Sequence, residues 1–140
     1  MRMTTKGRYA LRAAIALAKM SDGKTPISIK TISEAEEISS EFLEQIFFKL
    51  RKAGLITSVR GPGGGFYFAR ALSEISLKDI VEASGEGMEI AACAFGAEGA
   101  CDRTADCAAG TVWRELSTHI DSFLSGITLE GMLSRKVHRG

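Results

Sequence analysis

The sequence lacks the features that several classes of protein require. No run of apolar residues reaches the roughly 18 that a membrane-spanning helix needs, and the stretch 1–17 is interrupted by four basic side chains. There are two histidines, no Cys-x-x-Cys pair, and no recognisable Ser/His/Asp set or motif with paired carboxylates. We therefore expect a soluble cytoplasmic protein that is not an enzyme.

The net charge is close to zero, but the two signs are separated along the chain. The formal net charge of the chain is +1. A length of 140 residues with 45% hydrophobic composition suits one core with an extension. Residues 1–70 hold 12 Lys and Arg against 6 Asp and Glu, or +6, whereas residues 71–140 hold 6 against 11, or −5. A basic half of this kind can face phosphates while the acidic half contacts something else.

Apolar spacing predicts three helices in the basic half. The first can be capped by Thr4 or Thr5 and runs to Met20, where turn residues end it. A short second helix is capped by Ser28, and a third is capped by Ser39 and stopped by Gly54. Four apolar residues of the third helix recur at helical spacing and should face the core: Leu43, Ile46, Phe47 and Leu50.

The second and third helices are separated by a tight break at Glu36-Glu37 and form a helix-turn-helix pattern. In such a pair the second helix lies in the major groove of DNA and reads base edges. A plain three-helix core would show the same spacing, so this segment alone does not decide between the two. The outer face of the third helix carries Glu41, Glu44, Gln45, Phe48, Lys49 and Lys52.

Two short strands are predicted directly after the third helix, over 55–59 and 66–69. Their connection reads Arg-Gly-Pro-Gly-Gly-Gly, and a hairpin tip with so few side chains suits close approach to a sugar-phosphate backbone. Arg60 can enter a narrow minor groove from there. A flexible turn is the alternative, whereas a P-loop is excluded because its Lys-Ser/Thr pair is missing. The predicted DNA-binding residues are Glu44, Gln45, Lys49, Lys52, Arg60, Gly63 and Gly64.

All three cysteines lie in the stretch 86–110, which follows a fourth helix capped by Ser76 and is rich in Gly and Ala. Cys93, Cys101 and Cys107 are spaced Cys-x7-Cys-x5-Cys, and three thiols cannot all pair within one chain. Three thiolates on one loop can bind zinc or an iron–sulfur cluster. A thiol redox switch and ordinary free cysteines are the alternatives, and the spacing alone does not choose among them.

A heptad-like apolar pattern follows the cysteines. It predicts a dimerisation helix about two heptads long, and two copies of the chain would match the paired half-sites of DNA operators. Packing of this helix on its own domain is the alternative. The predicted dimer residues recur at spacings of 3, 4, 3 and 4 and are Trp113, Leu116, Ile120, Phe123 and Ile127.

Several runs of this sequence resemble the IscR/NsrR-type family of bacterial winged-helix regulators. They are MRMTTKGRYA at 1–10, FLEQ at 42–45, LRK with the following Gly-Leu at 50–55, and SVRGPGGG at 58–65. The resemblance covers nearly the whole chain and implies a homodimeric transcription factor controlled by an iron–sulfur cluster on the three cysteines. It implies [2Fe–2S] ahead of [4Fe–4S], promoter DNA as a partner, and the iron–sulfur assembly machinery as another. Glu44, Gln45 and Arg60 match the family's base- and groove-reading positions.

The fourth cluster ligand is where the chain departs from that family. The IscR branch has a histidine three residues after the last cysteine, but this chain has Gly110. Other branches use a carboxylate near the start of the first helix, where this chain has Arg8 and Arg12. The identity of the ligand, the type of cluster and the sensed signal stay open, and the remaining candidates are Glu98, Asp102, Asp106, His119 or a small molecule.

The predicted fold is mainly α with a small β-wing. We expect a winged helix-turn-helix domain over 1–84 and a cysteine-bearing loop over 85–110. A dimerisation helix with a short end helix should occupy 111–134, and 135–140 should form a flexible tail.

Overall fold

The computed structural model describes residues 3–86 and 107–135. The helices are α1 (Thr5–Met20), α2 (Ile29–Glu36), α3 (Ser40–Lys52), α4 (Leu77–Ala83), α5 (Ala108–Gly126) and α6 (Leu129–Ser134). The strands are β1 (Ile56–Val59) and β2 (Gly65–Phe68), and a short 3-10 turn covers Leu72–Glu74. The mainly α fold with a two-stranded wing confirms the predicted fold class. In the described ranges, no helix is long and apolar enough to cross a membrane.

The helix-turn-helix is set by local capping. Ser28 accepts a hydrogen bond from the Thr31 amide at the start of α2, and Ser39 accepts one from the Phe42 amide at the start of α3. Between the helices Glu37 takes a left-handed conformation with φ of 55°, which ends α2. The guanidinium of Arg12 on α1 donates to the Glu36 carbonyl oxygen at 2.6 Å and so fixes the end of α2.

The wing is an antiparallel hairpin in which Ile56 pairs with Phe68 and Val59 with Gly65. β1 therefore starts one residue later than predicted, and β2 is shifted by one residue toward the N-terminus. Ile27, which was not predicted to pair, exchanges two backbone hydrogen bonds with Phe66, at 2.9 and 2.8 Å. A side chain at position 65 would collide with the Ile27 backbone, so this close approach requires glycine.

The core lies between α1, α3, α4 and α6. It consists of fully buried aliphatic and aromatic side chains, among them Ala13, Leu17, Ile32, Leu43, Phe47, Leu50, Ile75, Ile80 and Leu129. α4 begins with a capping box between Ser76 and Asp79, as the Ser76 prediction anticipated. α6 returns to this core, because the Leu129 amide donates to Ile75 O at 2.9 Å and the Leu77 amide donates to Ile127 O at 2.7 Å. The end helix is thus packed on the winged domain.

Candidate nucleic-acid interface

The outer face of α3 is open to solvent and carries most of the predicted base-reading side chains. Glu44, Gln45 and Lys52 are exposed there. Glu41, Glu44, Gln45, Phe48 and Lys49 line an open groove of about 590 Å³ along the helix. On the opposite face four apolar side chains are buried in the core, so the orientation of the outer face is fixed by packing.

Lys49 differs from its neighbours on α3. Its DNA contact remains a prediction from the sequence. The side chain is half-buried, and its Nζ donates to the Ser84 carbonyl oxygen at the end of α4, at 3.4 Å. The carbonyls at a helix C-terminus attract cations, and this accounts for the position. Lys49 therefore joins α3 to the turn that precedes the cysteine-bearing stretch.

The wing presents Arg60 and Gly63 to solvent at its tip. Gly63 has a φ of 75°, a conformation that glycine adopts without strain. Gly64 has a different role, because its amide closes the turn onto Gly61 O at 2.9 Å and a side chain there would collide with the Val59 carbonyl. The wing hairpin thus follows α3 directly in the chain, with Arg60 and Gly63 exposed at its tip.

Glu86 is a contact that the sequence patterns did not reveal. Its carboxylate accepts hydrogen bonds from the Thr4 hydroxyl and from the Gly7 amide, the latter at 3.1 Å, and so caps the start of α1 from a distance. The Thr4 hydrogen bond, with help from the Gly7 amide and nearby Lys6, lowers the pKa of Glu86 against the opposing effect of burial. A β-carbon at position 7 would lie 2.7 Å from the Glu86 oxygen. A glycine inside an alanine-rich helix was the available signal.

Of the three cysteines, Cys107 is the one that lies within residues 3–86 and 107–135, and it caps α5. Its Sγ accepts a hydrogen bond from the Gly110 amide at 3.4 Å, and its side chain is partly exposed. Thiolate ligands of iron–sulfur clusters commonly accept such amide hydrogen bonds. Cys93 and Cys101 lie outside the described residues. Within 3–86 and 107–135, no three His, Cys, Asp or Glu side chains gather around a common point.

The candidates for a fourth ligand can be narrowed within one chain. His119 follows Cys107 by 12 positions along α5, about 18 Å at 1.5 Å per residue, which is too far to share one cluster. Its Nδ1 lies 3.0 Å from the Glu115 carbonyl oxygen. Arg8 and Arg12 contact Thr5 and Glu36. The other three candidates, Glu98, Asp102 and Asp106, lie outside the described residues.

Most of the predicted dimer residues form an exposed apolar stripe on α5. Trp113 and Leu116 are exposed, Phe123 is 61% exposed, and Ile120 is half-buried. α5 packs on α4 through a neighbouring face that includes the buried Leu124, and Lys78 Nζ lies 2.6 Å from Asp121 Oδ1 there. Ile127 departs from the predicted stripe, because it follows the helix in an extended conformation. Val112, 55% exposed, extends the stripe instead.

The helix-turn-helix, the wing and the solvent-facing side chains of α3 define a winged-helix transcription regulator. The Rrf2 family model, described as an iron-dependent transcriptional regulator, matches residues 3–135, and the chain belongs to this family. It is 43% identical over 129 residues to the HTH-type transcriptional regulator IscR of Vibrio atlanticus, covering 92% of this chain and 73% of the relative.

Two solved structures support the same assignment. T. potens IscR is 32% identical with a TM-score of 0.75, and the match covers 100% of this chain and 94% of that one. The oxidized form of Staphylococcus aureus CymR is 33% identical with a TM-score of 0.75, covering 99% and 100%. The resemblance drawn from the sequence motifs is confirmed, and the chain is a transcription regulator, not an enzyme.

Proposed function

We propose that this chain is a cytoplasmic, homodimeric regulator that binds promoter DNA and is controlled by an iron–sulfur cluster held on Cys93, Cys101 and Cys107. The observation that carries the proposal is the position of Cys107. Its sulfur lies at the first turn of α5, accepts an amide hydrogen bond and remains partly exposed. When bound, the cluster supplies a redox- and iron-sensitive group whose loss removes a cross-link between three points of the chain.

The proposed DNA surface combines α3 with the wing. Glu44, Gln45 and Lys52 are exposed on one face of α3, which suits insertion into the major groove. Arg60, with the glycines of the wing tip, suits the adjacent minor groove. A carboxylate such as Glu44 accepts a hydrogen bond from the amino group of cytosine and is repelled by carbonyl-rich edges, so it would contribute to promoter choice.

Both ends of the cysteine-bearing stretch are attached to functional elements. At one end Glu86 caps α1 and Ser84 accepts the Lys49 hydrogen bond from α3. At the other end Cys107 caps α5. Binding or loss of a cluster on the stretch would therefore act on the proposed DNA-reading helix and on the proposed dimer helix through short, direct connections.

The exposed stripe of α5 supports the homodimer. An amphipathic helix that leaves a tryptophan and a phenylalanine exposed has apolar surface to bury against a partner. A two-fold pair of these helices would place the same stripe on both sides of one interface. Two winged domains joined in this way can contact two half-sites on one face of the duplex.

A second candidate keeps the DNA binding and replaces the cluster by cysteine oxidation. The match to the oxidized form of S. aureus CymR, with a TM-score of 0.75, favours it. In this alternative the thiols would form a disulfide or a sulfenic acid under an external oxidant. Zinc on the same thiols is a variant of this alternative.

The test is the anaerobic purification of the parent protein and of Cys107→Ser. Serine retains an oxygen that caps α5 but is a poor iron ligand, so the variant separates the cap from the cluster. We expect the parent to show the visible absorbance and Mössbauer signals of a cluster, with iron and sulfide, and Cys107→Ser to lose them while its helical circular dichroism is unchanged. A colourless, iron-free parent protein that binds DNA would overturn the proposal of a cluster and favour cysteine oxidation or zinc binding. Metal analysis distinguishes these two alternatives.

A further inference from the structure

Phe48 is a large apolar side chain in the middle of the DNA-facing side of α3. It is 55% exposed, whereas the adjacent Phe47 is fully buried. At about 100° per residue, Phe48 lies within about 40° of the directions of Glu41 and Lys52 and nearly opposite Leu50. The ring is therefore at the centre of the outward face.

The ring of Phe48 is held in position by a neighbouring cation. The Arg51 guanidinium carbon lies 5.8 Å from the centroid of the Phe48 ring, within the range of a cation–π interaction. Arg51 Nη1 also donates to the Ser58 hydroxyl of β1 at 3.3 Å. The orientation of the ring is thus tied to both α3 and the wing before any ligand arrives.

A phenyl ring on a reading surface can recognise little besides apolar groups. It offers no hydrogen bond to phosphates or to the polar base edges, and in the major groove the apolar group on a base is the C5-methyl of thymine. We propose that Phe48 is a specificity-determining residue that contacts a thymine methyl group in the operator. This proposal depends on the placement of α3 in the major groove given above, and it is independent of the cluster.

The experiment begins with in vitro selection of a binding site by the full-length protein. Each thymine of the selected site is then replaced by deoxyuridine, which lacks only the methyl group, and binding is measured by fluorescence anisotropy for the parent, Phe48→Ala and Lys52→Ala. At one thymine position, the replacement by deoxyuridine should weaken the binding of the parent protein about fourfold per half-site. This factor corresponds to the loss of one buried methyl group. Phe48→Ala should bind both sites equally.

Lys52→Ala is the matched control from the same face. Loss of a cation should weaken binding to the thymine and deoxyuridine sites by the same factor, so their ratio stays that of the parent. The proposal is overturned if deoxyuridine is tolerated at every position by the parent, if the selected site has no fixed thymine, or if Phe48→Ala keeps the full preference for thymine. If α3 does not lie in the major groove, the result is different, because Glu44→Ala and Gln45→Ala then leave the affinity for DNA unchanged.

Discussion

α3 and α5 are both amphipathic helices, but they differ in how much of their apolar face is buried within the chain. α3 buries four large apolar side chains in its own core and leaves Phe48 exposed. α5 is longer, yet Leu124 is its one large buried side chain, whereas Val112, Trp113, Leu116 and Phe123 are exposed. Of the large apolar side chains exposed in the described part of the chain, four are on α5 and the other two, Phe48 and Val59, are on α3 and the wing.

The difference indicates which surfaces the isolated chain completes and which it does not. α3 has its position fixed by the core and can present polar groups without moving, which suits the reading role proposed for it. α5 packs on the rest of the chain along one edge only and keeps an exposed hydrophobic stripe. Burial of this stripe against another surface would be energetically favourable. The winged domain is thus complete in one chain, whereas the exposed stripe on α5 is the surface proposed above for the dimer interface.

The largest effect is expected when charge is placed in the α5 stripe. Phe123→Asp should raise the dimer dissociation constant by about 10²- to 10⁴-fold, because two symmetry-related phenyl groups, each worth about 1.5–3 kcal/mol on burial, are lost. Analytical ultracentrifugation over a range of concentrations measures this shift.

The control for that prediction is Thr118→Asp, since Thr118 is exposed on α5 away from the stripe. It should leave the association constant and the thermal unfolding temperature close to those of the parent. A Phe123→Asp protein that stays dimeric at the same concentrations would show that α5 does not form the interface. The exposed stripe would then not distinguish α5 from α3 as an association surface.

The residues of α3 illustrate what sequence patterns can predict. Its cap, its end and its four buried residues were all predictable, because capping and helical periodicity are local properties of the sequence. The stripe on α5 was predictable for the same reason. The connections between these elements were not, since Ile27 with Phe66 and Glu86 with Gly7 are 39 and 79 residues apart and follow no periodicity.

Lys49 and Ile127 show the same limit at single positions. Both have the spacing of the sets to which the patterns assigned them, and each also takes part in a hydrogen bond with a backbone group of a distant element, which the spacing does not predict. Lys49 turns to the Ser84 carbonyl at the end of α4, and the Ile127 carbonyl accepts the Leu77 amide. Such backbone groups must find partners in any fold, and sequence spacing does not say which side chains will provide them.

A second prediction concerns the start of α5, where the chain lacks the histidine of its IscR relatives. A β-carbon at Gly110 would lie 3.6 Å from Cys107 Cβ and 4.0 Å from its Sγ, which is ordinary contact, so a side chain fits beside the sulfur. Gly110→His should slow cluster loss to a chelator by at least about tenfold, the scale on which partners of a metal site act. The decay of visible absorbance after anaerobic chelator addition measures the rate.

Gly110→Ala is the matched control, because it adds the β-carbon and improves helix propensity without a ligand. It should leave the rate of cluster loss near that of the parent. Equal rates for the histidine variant and the alanine variant would mean that the fourth position is filled by a group that histidine does not displace, and the start of α5 would then contribute Cys107 alone.

The smallest effect is expected at Glu86, where the complete winged domain meets the cysteine-bearing stretch. The carboxylate caps α1, and its lowered pKa means that the folded state favours the charged form. The stabilisation is therefore fully present above the unfolded pKa of about 4.3 and is lost as the pH falls through the lower folded value. Glu86→Gln should cost about 0.3–1 kcal/mol at pH 7, the usual value of a carboxylate at a helix N-terminus, and nothing at strongly acidic pH.

Urea unfolding at a series of pH values measures this difference, with the exposed Glu74→Gln as a control that should show no such pH dependence. A constant difference between parent and Glu86→Gln across the acidic range would mean that the hydrogen bonds, not the charge, hold the start of α1. A difference that vanishes with protonation would instead mean that the junction responds to charge. The start of α1 would then be coupled to the cysteine-bearing stretch electrostatically, whereas α5 is coupled to it through the Cys107 cap.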